Sequence, residues 1–171
     1  MKVVVPVTLA IIFLLLYLNF RRLTESLIVM TSVPFALVGG VWLLWALDYH
    51  LSVAVAVGFI ALAGVAAETG VVMLIYLDQA WTATRERAGR PTMADLRAAV
   101  MAGAVERVRP KMMTVTAIMA GLLPIMAGSG AGSEVMRRIA APMVGGMVSS
   151  TILTLVVIPV IYCLVKARET R

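Results

Sequence analysis

Residues 58–77, GFIALAGVAAETGVVMLIYL, form an apolar run of membrane length broken by one carboxylate, Glu68. About 20 apolar residues in helical form cross the roughly 30 Å of hydrocarbon in a bilayer. A carboxylate at that depth costs about 3 kcal/mol on insertion scales. Such a residue faces a bundle interior, where it marks an ion or proton path or makes a structural hydrogen bond to a neighbouring helix. Both roles are open from the residues alone.

Four other apolar runs share the chain, so five segments are expected to span: 3–20, 27–47, 51–77, 112–128 (extended back through Lys111) and 139–165. Only 14% of residues are charged and 61% are hydrophobic, against about 25% charged in a soluble domain. The expected fold is an all-α membrane protein, a bundle of five transmembrane helices. Its expected parts are three helices in 1–77, a connector at 78–109 with an amphipathic helix, two helices in 110–165, and a tail at 166–171.

Positive charge orients the bundle, because Lys and Arg concentrate on the cytoplasmic side. Eleven basic residues (Arg21, Arg22, Arg85, Arg87, Arg90, Arg97, Arg107, Arg109, Lys166, Arg168 and Arg171) fall on one side, and Lys2, Arg137 and Arg138 on the other. The N-terminus is therefore expected outside, and the C-terminus and connector in the cytoplasm. An odd number of spans with an outside N-terminus suits the tail of a longer chain. The first run ends in Asn19-Phe20-Arg21-Arg22 without a small-residue cleavage site, so a stop is expected there rather than a signal peptide. The net charge of +6 sits at span ends, which argues against a nucleic-acid partner. The lone Cys163 cannot form an intramolecular disulfide and reads as a packed thiol.

Within the connector, Gly89-Arg90-Pro91 predicts a break. Thr92-Met93-Ala94-Asp95 predicts a capping box opening a helix toward Val105, with Leu96, Ala99, Val100 and Gly103 on one stripe. Prolines 6, 34, 124, 142 and 159 fall inside spans, where neighbours re-satisfy the freed carbonyls. Gly39-Gly40, Gly58, Gly70 and Gly145-Gly146 let helices approach closely.

Glu68 and Lys111 both lie 17 residues from the outer ends of their runs, at Leu51 and Gly128. At about 1.5 Å per residue, each sits about 25 Å below that boundary. A carboxylate and an ammonium at one depth can pair, which lowers the cost of burying either. Ala61 and Gly64 make the approach to Glu68 small-sided, and Thr114 lies one turn beyond Lys111. Lys111 also follows Arg107 and Arg109, so snorkelling to headgroups fits it equally well. The twelve methionines fit both core filling and soft-metal ligation of the kind that suits Cu(I). Met136, at the outer mouth of the last span, is the strongest candidate ligand. His50 reads as a solvated loop residue. No HExxH, GxSxG or paired aspartates point to an enzyme.

FALVGGVWLLW at 35–45, LSVAVAVGFIALAGVAAETGVVML at 51–74 and RVRPKMMTVTAIMAGLLPIMAGSGAGSEVMRRIAAPMVGGM at 107–147 resemble the heavy-metal-efflux branch of the resistance-nodulation-division permeases. The match is to the C-terminal membrane half, spans eight to twelve of twelve, within the copper/silver subgroup. The resemblance implies proton-driven export of Cu(I) or Ag(I) across the bacterial inner membrane, with no resident cofactor. It implies that Glu68 and Lys111 belong to a proton relay whose aspartate lies in the missing N-terminal half. It also implies that Met136 belongs to a methionine relay. The implied partners are that half, a periplasmic adaptor, an outer-membrane channel and two further copies in a homotrimer. The acid of GVAAE leans toward monovalent ions. Thr69 and Arg137 depart from the family pattern. The alternatives are a small standalone membrane subunit, or a piece of a divalent-metal or drug permease.

Overall fold

The computed structural model describes residues 4–20, 23–89 and 92–169. Lys2, Arg21, Arg22, Arg90, Pro91 and Arg171, which entered the charge count or the expected break, lie outside the described residues. Among those described, the chain is all helix and connecting turn. The order is α1 (Val4–Phe20), α2 (Leu23–Ala46), α3 (Val53–Ala88), α4 (Met93–Ala127), α5 (Ser133–Ile152) and α6 (Ile158–Glu169). A π-helical turn, Leu153–Val157, joins α5 to α6, and the two read as one membrane span, Ser133–Ala167. It lies just before Pro159, which cannot donate to the helical ladder.

Among the described residues, four helical segments are long and apolar enough to cross a membrane, and a shorter apolar helix, Pro6–Phe20, accompanies them. α3 and α4 have 36 and 35 residues, about 50 Å each at the helical rise, so both extend well past a bilayer's apolar thickness.

The stretch read as a connector is therefore mostly the ends of these two helices. The helix expected to stop near Val105 instead runs through Pro110 into the next span. It starts as the sequence indicates: Thr92 Oγ1 accepts from the Asp95 backbone N–H at 3.3 Å, and Asp95 Oδ2 accepts from the Thr92 N–H at 2.8 Å. Its stripe of Leu96, Ala99 and Val100 is buried against Leu77 and Trp81 of α3. Gly103 marks a close crossing of α4 with α3. A Cβ there would sit 3.1 Å from the Tyr76 carbonyl oxygen of α3.

α2 and α5 cross closely through glycines. A Cβ on Gly39 would lie 2.4 Å from the Gly145 carbonyl oxygen, and one on Gly145 equally close to that of Gly39. Ser149 Oγ spans the gap, donating to the Ala36 carbonyl at 2.9 Å. Small residues serve here as they do in membrane bundles generally, bringing backbones together for dispersion and hydrogen bonding. One core cluster gathers Ile28, Val29, Met73, Leu74, Ile158 and Tyr162 with the α4 stripe. A second, at the opposite end, holds Leu44, Val55 and Ala141.

Candidate functional site

Lys111 lies within α4 just after Pro110, and only 2% of it is exposed. Its Nζ donates to Thr69 Oγ1 of α3 at 3.2 Å. The Thr69 hydroxyl donates in turn to the Val65 carbonyl at 2.6 Å. With that proton committed, the threonine oxygen has lone pairs left to accept from the ammonium. The equal depths read from the sequence thus bring α3 and α4 together at this level.

The immediate partner differs from the expected one. Glu68 is exposed on α3 and makes no ion pair within 4.0 Å of Lys111. One residue along a helix is a rotation of about 100°, and this step takes Glu68 off the face that Thr69 turns to α4. Lys111 still feels the carboxylate's charge, along with that of Arg107 one turn earlier on α4. Gly64, read as part of a small-sided approach to Glu68, has nothing within 4 Å of its Cβ position.

Thr114 is not drawn into this site. It is exposed, and its hydroxyl donates to the Pro110 carbonyl at 3.1 Å within its own helix. Met136 is 50% exposed in the first turn of α5. Two guanidinium groups follow it along the helix. Arg137 donates to the Gly128 carbonyl of the α4–α5 loop, and Arg138 pairs with Glu134 at 2.6 Å. Arg138 also lies 5.8 Å from the centre of the Tyr49 ring. His50 is exposed, and Cys163 is half-buried against the first core cluster. Among the described residues, no group of three or more His, Cys, Asp or Glu could hold a metal ion.

A second buried charge cluster was missed in the sequence. Lys166 of α6 and Glu25 of α2 approach to 3.7 Å, with side chains 4% and 6% exposed. Tyr162 lies one turn before Lys166, under its ammonium at 5.8 Å, and its hydroxyl donates to Asp78 Oδ1 of α3 at 3.1 Å. Three helices are tied together at this end. The spacing offered a signal: Glu25 shares a stripe with Ile28, Val29 and Ser32, and Lys166 follows Tyr162 by four.

At the start of α4, about 48 Å from its far end and so beyond the spanning part, the Thr92 hydroxyl and the Thr92 backbone N–H donate to Asp95 Oδ2 at 2.7 and 2.8 Å and hold the Asp95 carboxyl below its ordinary range, the hydroxyl being the larger cause.

These helices and their buried charges define a multi-pass membrane protein with a polar contact inside the bundle. The chain belongs to the AcrB/AcrD/AcrF family, which matches residues 1–166. It is 59% identical over 173 residues to the cation efflux system protein CusA of Escherichia coli K12, covering all of this chain and 16% of that protein. It is 56% identical to the putative cation efflux system protein SilA of Salmonella typhimurium, over 99% of this chain and 16% of the relative. The cobalt-zinc-cadmium resistance protein CzcA of Cupriavidus metallidurans is 41% identical over 99% of this chain. A crystal structure of a heavy metal efflux pump superposes with a TM-score of 0.82 at 37% identity, covering 97% of this chain and 15% of that one. The chain thus spans about a sixth of the length of the relatives it matches.

Proposed function

We propose that this chain is the C-terminal membrane portion of a permease that exports Cu(I) or Ag(I) across the inner membrane in exchange for protons. The observation that carries this is Lys111, buried inside the bundle on α4 and hydrogen-bonded to Thr69, the residue that follows the intramembrane carboxylate of Glu68 on α3. Its setting is a chain 59% identical to a cation efflux protein. An intramembrane acid beside a mobile ammonium can take up and release a proton as its counter-charge moves, because an opposite charge favours the ionised acid and desolvation disfavours it. Glu68 is the proton carrier in this account and Lys111 its counter-charge. Met136 offers the cation a thioether at the outer mouth. The N-terminal half of the permease supplies the remaining polar partner on the open side of Glu68, so the chain alone is not expected to transport. A homotrimer working with a periplasmic adaptor and an outer-membrane channel completes the assembly.

The test is Glu68→Gln in the full-length permease, expressed in a silver-sensitive bacterium. Silver resistance is expected to be lost with the protein still in the membrane. Undiminished resistance would overturn the proposal.

A further inference from the structure

We propose that α6 is a hinged arm: the C-terminal half of the last span swings on the π-helical turn at Leu153–Val157 and is held shut by the polar contacts of Tyr162 and Lys166. This goes beyond the transport reading, and its test needs neither metal nor proton.

The helical ladder loosens at the turn. The Leu153 N–H is shared between the Ser149 and Ser150 carbonyls, and the Ile158 N–H reaches back five residues to the Leu153 carbonyl instead of four. Pro159 follows with no N–H to donate. The Thr151 and Thr154 hydroxyls donate to the Met147 and Ser150 carbonyls, both at 2.7 Å, and back-bonds of this kind favour bending. A single π turn inside an α-helical span is one of the few places where sharp kinks arise.

The two sides of the turn are fastened differently. Before it, α5 is locked to α2 through backbone. A Cβ on Gly39 or Gly145 would strike the other's carbonyl oxygen, and Ser149 donates to the Ala36 carbonyl. Past it, α6 is tied by side chains. Lys166 reaches Glu25 of α2 at 3.7 Å, and the Tyr162 hydroxyl donates to Asp78 of α3 at 3.1 Å. Long side chains release such contacts without a backbone shift, which a glycine crossing cannot do. Ile158 is 1% exposed but stands next to the pivot, so a tilt moves it little. An apolar groove beside the turn, lined by Phe35, Leu153, Val157 and Ile161, leaves room on the α2 side. Asp78 also lies nine residues past Thr69 on α3, so a shift of α3 at the Lys111 contact is passed to α6 through Tyr162.

The test measures distances between spin labels on the 171-residue chain in lipid nanodiscs, in a Cys163→Ser background. One label pair, Leu27→Cys with Leu164→Cys, spans α2 and α6. The other, Val38→Cys with Val148→Cys, spans the α2–α5 crossing. All four side chains are exposed. Leu164 lies about 13 Å along the arm from the middle of the turn, so a change of about 20° displaces it by about 5 Å. The parent should give one distance for each pair. Glu25→Ala/Lys166→Ala/Tyr162→Phe, which opens the latch without leaving either charge of the ion pair alone, should add a second 27–164 distance shifted by about 5 Å. The 38–148 distance should stay as it is. Lys166→Arg, which keeps the ion pair, should show the parental distance alone. If the triple variant does not enter nanodiscs, Tyr162→Phe takes its place with the same shift at a smaller population. An unchanged 27–164 distance in the latch variant would overturn the hinge. So would an equal shift of the 38–148 pair, or a second distance of the same weight in Lys166→Arg. A fast-tumbling label at Leu164 would also overturn it, since the arm would then have unwound rather than swung. Any of these would leave the role of Glu68 standing, because silver resistance tests that separately.

Discussion

Lys111 of α4 donates a hydrogen bond to Thr69 of α3 at 3.2 Å, joining two helices through a charge and a hydroxyl that are both almost wholly buried. A buried ammonium facing a single hydroxyl is a poor way to stabilise a bundle, because desolvation outweighs what one neutral acceptor returns.

Lys111→Met is therefore expected to leave the fold as stable or to raise its stability by about 1–4 kcal/mol, the range for replacing buried charges with apolar residues. Thr69 would stay satisfied through the Val65 carbonyl. Thermal unfolding of the chain in detergent, followed by circular dichroism, checks this. A marked loss of stability would mean that the lysine is structural.

The Glu25–Lys166 pair should behave in the opposite way. Removing one partner leaves the other charge buried, so Glu25→Leu alone should destabilise the chain by about 3–5 kcal/mol. The double variant Glu25→Leu/Lys166→Met should recover most of that loss. Denaturant titration of the single and double variants measures the difference.

Glycines divide by what stands in front of them. Gly39→Ala would press a methyl against the Gly145 carbonyl at 2.4 Å, and backbone cannot move aside cheaply. It should cost about 1–3 kcal/mol, as overpacking does. Gly64→Ala and Gly121→Ala meet nothing within 4 Å and should gain up to about 1 kcal/mol from helix propensity. Unfolding midpoints of the three variants should therefore fall on both sides of the parent.

The Asp95 capping box predicts a pH effect confined to the start of α4. Its carboxyl is held below the ordinary value by Thr92, so the contribution is present above the unfolded-state pKa. It is lost as pH falls through the lower folded value. Hydrogen exchange of the 95–98 amides should accelerate in that acid window, and Thr92→Ala, which keeps only the backbone donor to Asp95, should weaken the pH dependence.

The spans were legible in the sequence because a bilayer demands length and apolarity and little else. The capping box at Thr92 was legible because its residues are neighbours. The shared level of Glu68 and Lys111 followed from counting rises along two antiparallel runs. What counting could not supply was rotation about each helix axis. A step of about 100° decides whether Lys111 meets Glu68 or Thr69, and packing at crossings such as Gly103 against Tyr76 sets it. The same limit concealed Glu25 and Lys166. Both stand near the ends of their apolar runs, and α2 and α6 turn them inward to each other. Thr114 failed for a simpler reason: its own helix offers the Pro110 carbonyl, one turn back and close at hand for a hydroxyl four residues on.

The central claim is that Glu68 carries the proton that Lys111 answers. It is tested most directly with the full-length permease in proteoliposomes, using a trapped pH-sensitive dye to follow proton flux when Ag(I) is added on the uptake side. The account predicts Ag(I)-dependent proton movement in the parent and none in Glu68→Gln. Proton movement of parental size in Glu68→Gln would contradict it.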